Sequence, residues 1–221
     1  MAYGLKKLLS HFSEIKIETV SSSFSGELEI VLSAGRFMLN TRNATYSYED
    51  KYTSYLFALK QIRIDPTGKA LVLGLGLGSI PWILQKNFRY TGPITCVDID
   101  PVIIACAKKY YPDPEKFNML EIIQSDAFAW TVHHAERFDL IAVDLFIDRR
   151  VPEKFHTREF LIPLAEKLNP GGQLLFSRLM DNSDPEFLLN KNLHEIFPGY
   201  REIDTNGNLI LHYIHGSGDR D

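Results

Sequence analysis

From Lys69 onward, short apolar runs alternate with stretches of helical spacing, and this alternation constrains the fold more than any other feature. "KALVLGLG", "PITCVDID", "NMLEIIQSD", "FDLIAVDLF" and "GQLLFSRL" read as strands. They are β-branched or leucine-rich and apolar on both faces. Such strands must be covered on both sides, which is the condition of a parallel sheet between helices. "SIPWILQKNF", "PVIIACAKKY", "AFAWTVHHA", "TREFLIPLAEKLNPGG" and "DPEFLLNKNLHEIF" supply the helices. Ser79 is a plausible N-cap, Pro101 can open its helix, and Asn-Pro-Gly-Gly ends the fourth. The closing segment "YREIDTNGNLILHYI" holds two strand-like runs around Asn206-Gly207, a hairpin signal. The expected fold is therefore α/β, a doubly wound, mostly parallel sheet that ends in antiparallel strands.

The first 60 residues follow another grammar. "SEIKIETV" and "GELEIVLSAGRFMLN" alternate apolar and polar residues, with "SSSFSG" between them as a loop and Gly35 as a break. "YEDKYTSYLFALKQI" then spaces Tyr52, Tyr55, Leu56 and Leu59 at helical intervals. This predicts a small β-rich unit with a connecting helix over 1–60 and an α/β domain over 61–221. The stretch just before the first parallel strand suits either a lid or a packed connector.

Composition excludes several classes. The 221 residues are 45% hydrophobic and 24% charged, ordinary for a globular chain able to bury a large core. A formal net charge of −4 argues against nucleic acid as the main partner. No apolar run reaches the roughly 18 residues of a membrane span, and no secretory leader pattern is visible. Cys96 and Cys106 lack any zinc or disulfide spacing and read as buried thiols, so no metal is expected and a cytoplasmic setting is the default.

The first strand-to-helix turn carries Gly74, Gly76 and Gly78. In an open α/β sheet the ligand lies outside the carboxyl ends of the strands, so this turn is the key position. A dinucleotide would prefer G-x-G-x-x-G, but Ser79 stands where its third glycine belongs. The looser G-x-G-x-G suits S-adenosylmethionine. Asp98, at the tip of the second strand, can accept both hydroxyls of a ribose. Asp100 can cap the helix that Pro101 opens. Asp126 can accept from an adenine amino group, with the Ala127 amide donating to a ring nitrogen and Ile99 packing on the base. Asp126 can also simply cap its helix.

With these residues in place, the chain resembles the spermidine-synthase-like branch of the class I S-adenosylmethionine-dependent methyltransferases. "VDIDPVIIACAKKYYP" is similar to the family's E-I-D-x-x-V-I segment, and "QSDAFAW" to its third-strand motif. The resemblance covers about Glu27 to Leu179. It implies a seven-stranded sheet of methyltransferase type and a cofactor site lined by Gly74, Gly76, Gly78, Asp98, Ile99, Asp126 and Ala127. It also aligns Asp144 with the family's catalytic base.

Departures from the pattern shape the functional expectation. Aminopropyltransferases carry an aspartate in the glycine loop that meets the amine of decarboxylated S-adenosylmethionine; Leu77 stands there. The second aspartate of the fourth-strand motif falls on Ile147, with Asp148 one residue late and Arg149 and Arg150 following. Ser47 and Tyr48 replace a tyrosine and a glutamine or histidine, although Glu49 matches. The reading favoured is an S-adenosylmethionine-dependent methyltransferase with Asp144 orienting or deprotonating an acceptor. Aminopropyl transfer to a polyamine is the first alternative, and a non-catalytic nucleoside-binding protein the second. The expected partner is a small-molecule acceptor, with no nucleic acid or membrane; a homodimer through the N-terminal strands stays open.

Overall fold

The structure, a computed structural model, describes residues 3–146, 151–179, 186–205 and 208–216. Helix α1 (Gly4–Leu9) leads into four antiparallel strands, β1 (Ile15–Ser22), β2 (Gly26–Ser33), β3 (Arg36–Asn40) and β4 (Thr45–Ser47), in spatial order β1-β2-β3-β4. The period-two pattern of β2 sends Leu28, Ile30 and Leu32 to one face, where all are fully buried. A 3-10 turn at Glu49–Lys51 and helix α2 (Thr53–Lys60) follow. The buried apolar residues of α2, Tyr55, Ala58 and Leu59, join the core of the larger sheet.

That sheet holds β5 (Ala70–Leu73), β6 (Ile94–Asp98), β7 (Leu120–Gln124), β8 (Phe138–Val143), β9 (Leu168–Leu179), β10 (Arg201–Asp204) and β11 (Asn208–Ile214). Its order is β10-β11-β9-β8-β5-β6-β7. Pairings among β5 to β9 are parallel; β11 runs antiparallel to β9 and β10. The helices are α3 (Ser79–Asn87), α4 (Pro101–Tyr110), α5 (Pro114–Phe117), α6 (Ala127–His133), α7 (Arg158–Glu166) and α8 (Glu186–Ile196), with a 3-10 turn at Glu153–His156 before α7. Successive residues of β5 enter different cores. Ala70 and Val72 pack with Ile80, Ile83 and Leu84, while Leu71 and Leu73 pack with Trp130, Phe160 and Leu164. Covered faces on both sides explain why the strand is apolar at every position. The order reverses between β5 and β8, which opens a crevice at their carboxyl ends.

The small sheet packs on α4. Leu28, Ile30, Leu32, Phe37 and Leu39 share a buried cluster with Ile103, Cys106 and Tyr110. Both cysteines are free and buried.

Local boundaries differ from the sequence reading at three places. Helix α7 stops at Glu166, ahead of Asn-Pro-Gly-Gly, because Leu168 is fully buried and pairs with Phe138. The next pairing is Leu140 with Gln173, so Asn169–Gly172 bulges out of β9. The N-cap of α3 is Gly78 rather than Ser79, whose hydroxyl instead meets the Ser47 hydroxyl at 2.7 Å and accepts from the Tyr48 amide. Helix α5 was not foreseen; Asp113 starts it by accepting from the amides of Glu115 and Lys116. The Asn206-Gly207 turn lies outside the described residues, but the strands flanking it pair antiparallel, as expected. No helix among the described residues is long and apolar enough to cross a membrane.

Candidate active site

A cavity of about 480 Å³ lies at the carboxyl ends of β5, β6, β7 and β8. Of the eight residues singled out in the sequence, seven line it: Gly74, Gly76, Asp98, Ile99, Asp126, Ala127 and Asp144. Gly78 does not. It has φ +84°, and a Cβ there would lie 2.5 Å from the Tyr111 ring, so glycine at this position serves helix entry and packing. Gly74 has a different reason. Its φ is +92°, and a Cβ would come within 2.3 Å of the Asp144 carbonyl oxygen. The tips of β5 and β8 touch there.

Asp98 ends β6 with both oxygens engaged. Oδ2 accepts from the Leu75 amide at 2.8 Å and Oδ1 from the Asp100 amide at 2.9 Å. Burial pushes its pKa up against these bonds. The carboxylate thus ties the glycine turn to the loop after β6. Asp100 caps α4 through the Val102 amide, as its position suggested.

Asp126 caps α6, its Oδ1 accepting from the Phe128 and Ala129 amides. Its other oxygen pairs with Lys154, which precedes α7. Burial opposes ionisation, yet Lys154 and the helix amides hold the carboxyl below its usual range.

Asp144 follows β8, and its backbone amide donates to the Leu73 carbonyl. The Tyr52 hydroxyl donates to Oδ2 at 2.8 Å. Oδ1 is buried with no hydrogen-bond partner, as is the hydroxyl of Ser177, whose proximity favours the ionised carboxyl. Burial raises the pKa to about 7, with the Tyr52 and Ser177 hydroxyls pulling the other way. Desolvation and the Asp144 charge in turn push the Tyr52 phenol well above its ordinary value.

Tyr52 was visible in the sequence only as a helically spaced aromatic. In the structure, Tyr55 anchors the same connector by donating to the Val143 carbonyl at 2.7 Å. Tyr46, Tyr52, Thr53 and Ser54 all reach the cavity. The connector is packed and is also a wall. Phe24, Lys154 and Asn208 line the cavity as well, and no local pattern marked them.

Leu77 reverses an expectation. It is 3% exposed and belongs to the core between the small sheet and α4, outside the cavity lining. It therefore does not stand where a cofactor amine would meet it and does not disfavour a decarboxylated cofactor. Ile147, Asp148, Arg149 and Arg150 lie outside the described residues. Among the described lining residues the ionisable excess is acidic, with Asp98, Asp100, Asp126 and Asp144 against Lys154. Such a cavity favours a cation.

Residues 49–183 match the family model of the spermine/spermidine synthase domain. The chain belongs to the spermine/spermidine synthase family. A probable polyamine aminopropyl transferase of Bifidobacterium longum is 27% identical over 157 residues, 71% of this chain and 33% of that protein. An N-terminal histidine N-methyltransferase of Emericella nidulans is 31% identical over 143 residues, 63% of this chain and 25% of that protein. A probable spermidine synthase from Corynebacterium glutamicum superposes with a TM-score of 0.73 at 17% identity, over 89% of this chain and 79% of that one. The chain spans between a third and about half the length of the first curated relatives it matches.

These findings correct the favoured functional reading. Four of five matching curated proteins are polyamine aminopropyltransferases, as is the sense of the family model, so a methyltransferase reading is overturned in favour of its alternative. Of the departures that favoured a methyltransferase, Leu77 lies in the core, and Ile147, Arg149 and Arg150 lie outside the described residues.

Proposed function

We propose that this chain is an aminopropyltransferase that moves the aminopropyl group of decarboxylated S-adenosylmethionine onto an amine. The observation that carries the proposal is Asp144, a buried carboxyl with one unpartnered oxygen, a pKa raised to about 7 and a place on the cavity wall. An aliphatic amine arrives as an ammonium and cannot attack until it loses a proton. A base whose pKa lies near neutrality is suited to take it. The same carboxylate, once ionised in a site poor in water, attracts the ammonium first.

The residues around the cavity fit a nucleoside sulfonium. Gly74 and Gly76 line it while letting β5 approach the Asp144 carbonyl and the Tyr46–Ser47 backbone, Asp98 and Asp126 present carboxylates, and Ile99, 37% exposed, offers an apolar surface for a base. When bound, the sulfonium supplies an electrophilic carbon: its bond to sulfur breaks with the electron pair kept by sulfur, as the acceptor nitrogen bonds to that carbon. Asp144 takes the acceptor's proton. Tyr52 holds one carboxylate oxygen and fixes the carboxylate plane.

The test is incubation with decarboxylated S-adenosylmethionine and a panel of linear diamines, with chromatography for 5'-methylthioadenosine and the aminopropylated amine. Both products are expected, and Asp144→Asn should form both far more slowly. S-adenosylhomocysteine from ordinary S-adenosylmethionine, with no aminopropyl product from any amine, would sink the proposal.

A further inference from the structure

The loop "SSSFSG" between the first two strands reaches the cavity. The turn between β1 and β2 carries Phe24 and Ser25 onto the cavity wall. Ser22 and Ser25 donate to Asp100 Oδ2 at 2.5 and 2.7 Å, and Asp100 is 1% exposed. The amides of Phe24 and Ser25 donate in turn to the Ser22 hydroxyl. The turn is therefore held through Ser22 and Ser25 to the loop that carries Asp98 and Ile99. One hydrogen-bonded path runs from the Leu75 amide through Asp98, the Asp100 amide and the Asp100 carboxylate to the two serines.

This anchoring explains an otherwise costly arrangement. Phe24 is 46% exposed although its turn is held by these bonds, and it shares its cavity with Ile99 and Ile103. A half-exposed aromatic ring facing a cavity is apolar surface that a flat ligand can cover. The carboxylates around it accept hydrogen bonds from sugar hydroxyls and amino groups but offer no stacking surface.

Building on the nucleoside reading of the cavity, we propose that the β1–β2 turn is a clamp in which Phe24 covers the base of the bound nucleoside. The Ser22 and Ser25 bonds to Asp100 position the ring. The small sheet thus completes the nucleoside site, and Phe24 selects for ligands with an aromatic base.

Calorimetric titration with 5'-methylthioadenosine and, separately, with 5-methylthioribose, which lacks the base, tests this. Base–aromatic stacking is commonly worth about 1–3 kcal/mol, or roughly 5- to 150-fold in affinity. Phe24→Ala should weaken methylthioadenosine binding by about tenfold or more and leave methylthioribose binding unchanged, while Phe24→Trp keeps the affinity. Ser22→Ala with Ser25→Ala should weaken methylthioadenosine binding, and that loss should vanish in a Phe24→Ala background. Unchanged methylthioadenosine binding by Phe24→Ala, or equal losses for both ligands, overturns the clamp alone. Failure of the unaltered protein to bind methylthioadenosine overturns the nucleoside reading, and the clamp with it.

Discussion

The Tyr52 hydroxyl donates to Asp144 Oδ2 at 2.8 Å, joining a connector residue to the tip of a central strand across 92 positions of sequence. The bond favours the ionised carboxylate, whereas burial favours the neutral acid. Removing it with Tyr52→Phe should raise the Asp144 pKa further. The acid limb of the pH–rate profile should move up by on the order of one pH unit, since hydrogen bonds to charged groups contribute about 1.5–3 kcal/mol. A profile that keeps its inflection while losing amplitude would show that Tyr52 acts otherwise.

Asp144→Asn should separate function from stability. Activity should drop by about 10²–10⁴-fold, the range of general-base loss. Stability should change in the opposite direction. The folded pKa, about 7, stands above the ordinary value of 3.8. Below the lower value both states are protonated and the group costs nothing. Between the two, the unfolded chain gives up the proton and the folded chain keeps it, so the group's penalty grows with pH and levels off above about 7. The variant lacks this penalty. Urea denaturation should find its advantage small near pH 4 and largest above pH 7, up to about 4 kcal/mol. An advantage that shrinks with rising pH would contradict the assignment.

Leu77→Asp places the family's missing acid at its aligned position. The side chain is buried among Leu28, Ile30 and Ile103 rather than in the cavity. The variant should lose several kcal/mol of stability from a buried, unpaired carboxyl. It should show no gain in preference for the decarboxylated cofactor. A stable Leu77→Asp protein with tighter binding of that cofactor would put Leu77 back in the site.

Gly74→Ala should be severe in both respects. The positive φ alone costs about 1–2 kcal/mol, and the added carbon would strike the Asp144 carbonyl. Separation of the β5 and β8 tips would displace Asp144. Thermal melting and aminopropyl transfer should therefore fall together. Gly78→Ala is equally strained but faces Tyr111, so it should cost stability while the surviving folded fraction keeps its affinity for nucleoside.

Sequence alone determined the layered sheet, because a strand apolar at every position has only one kind of environment available to it. Leu71 and Leu73 enter one core and Ala70 and Val72 the other. It also determined the strand tips, since Asp98, Asp126 and Asp144 each follow an apolar run, and seven of the eight residues it singled out share one cavity. Tertiary structure decided which way loop side chains turn and which distant elements meet them. Leu77 lies between two glycines with positive φ, and its direction follows from the small sheet waiting to bury it. Tyr52 and Phe24 enter the site from elements whose docking is set by packing on the large sheet and on α4. Periodicity within a segment reports burial. It carries no information about which distant surface does the burying, and that is how Asp144 obtains Tyr52 as its partner.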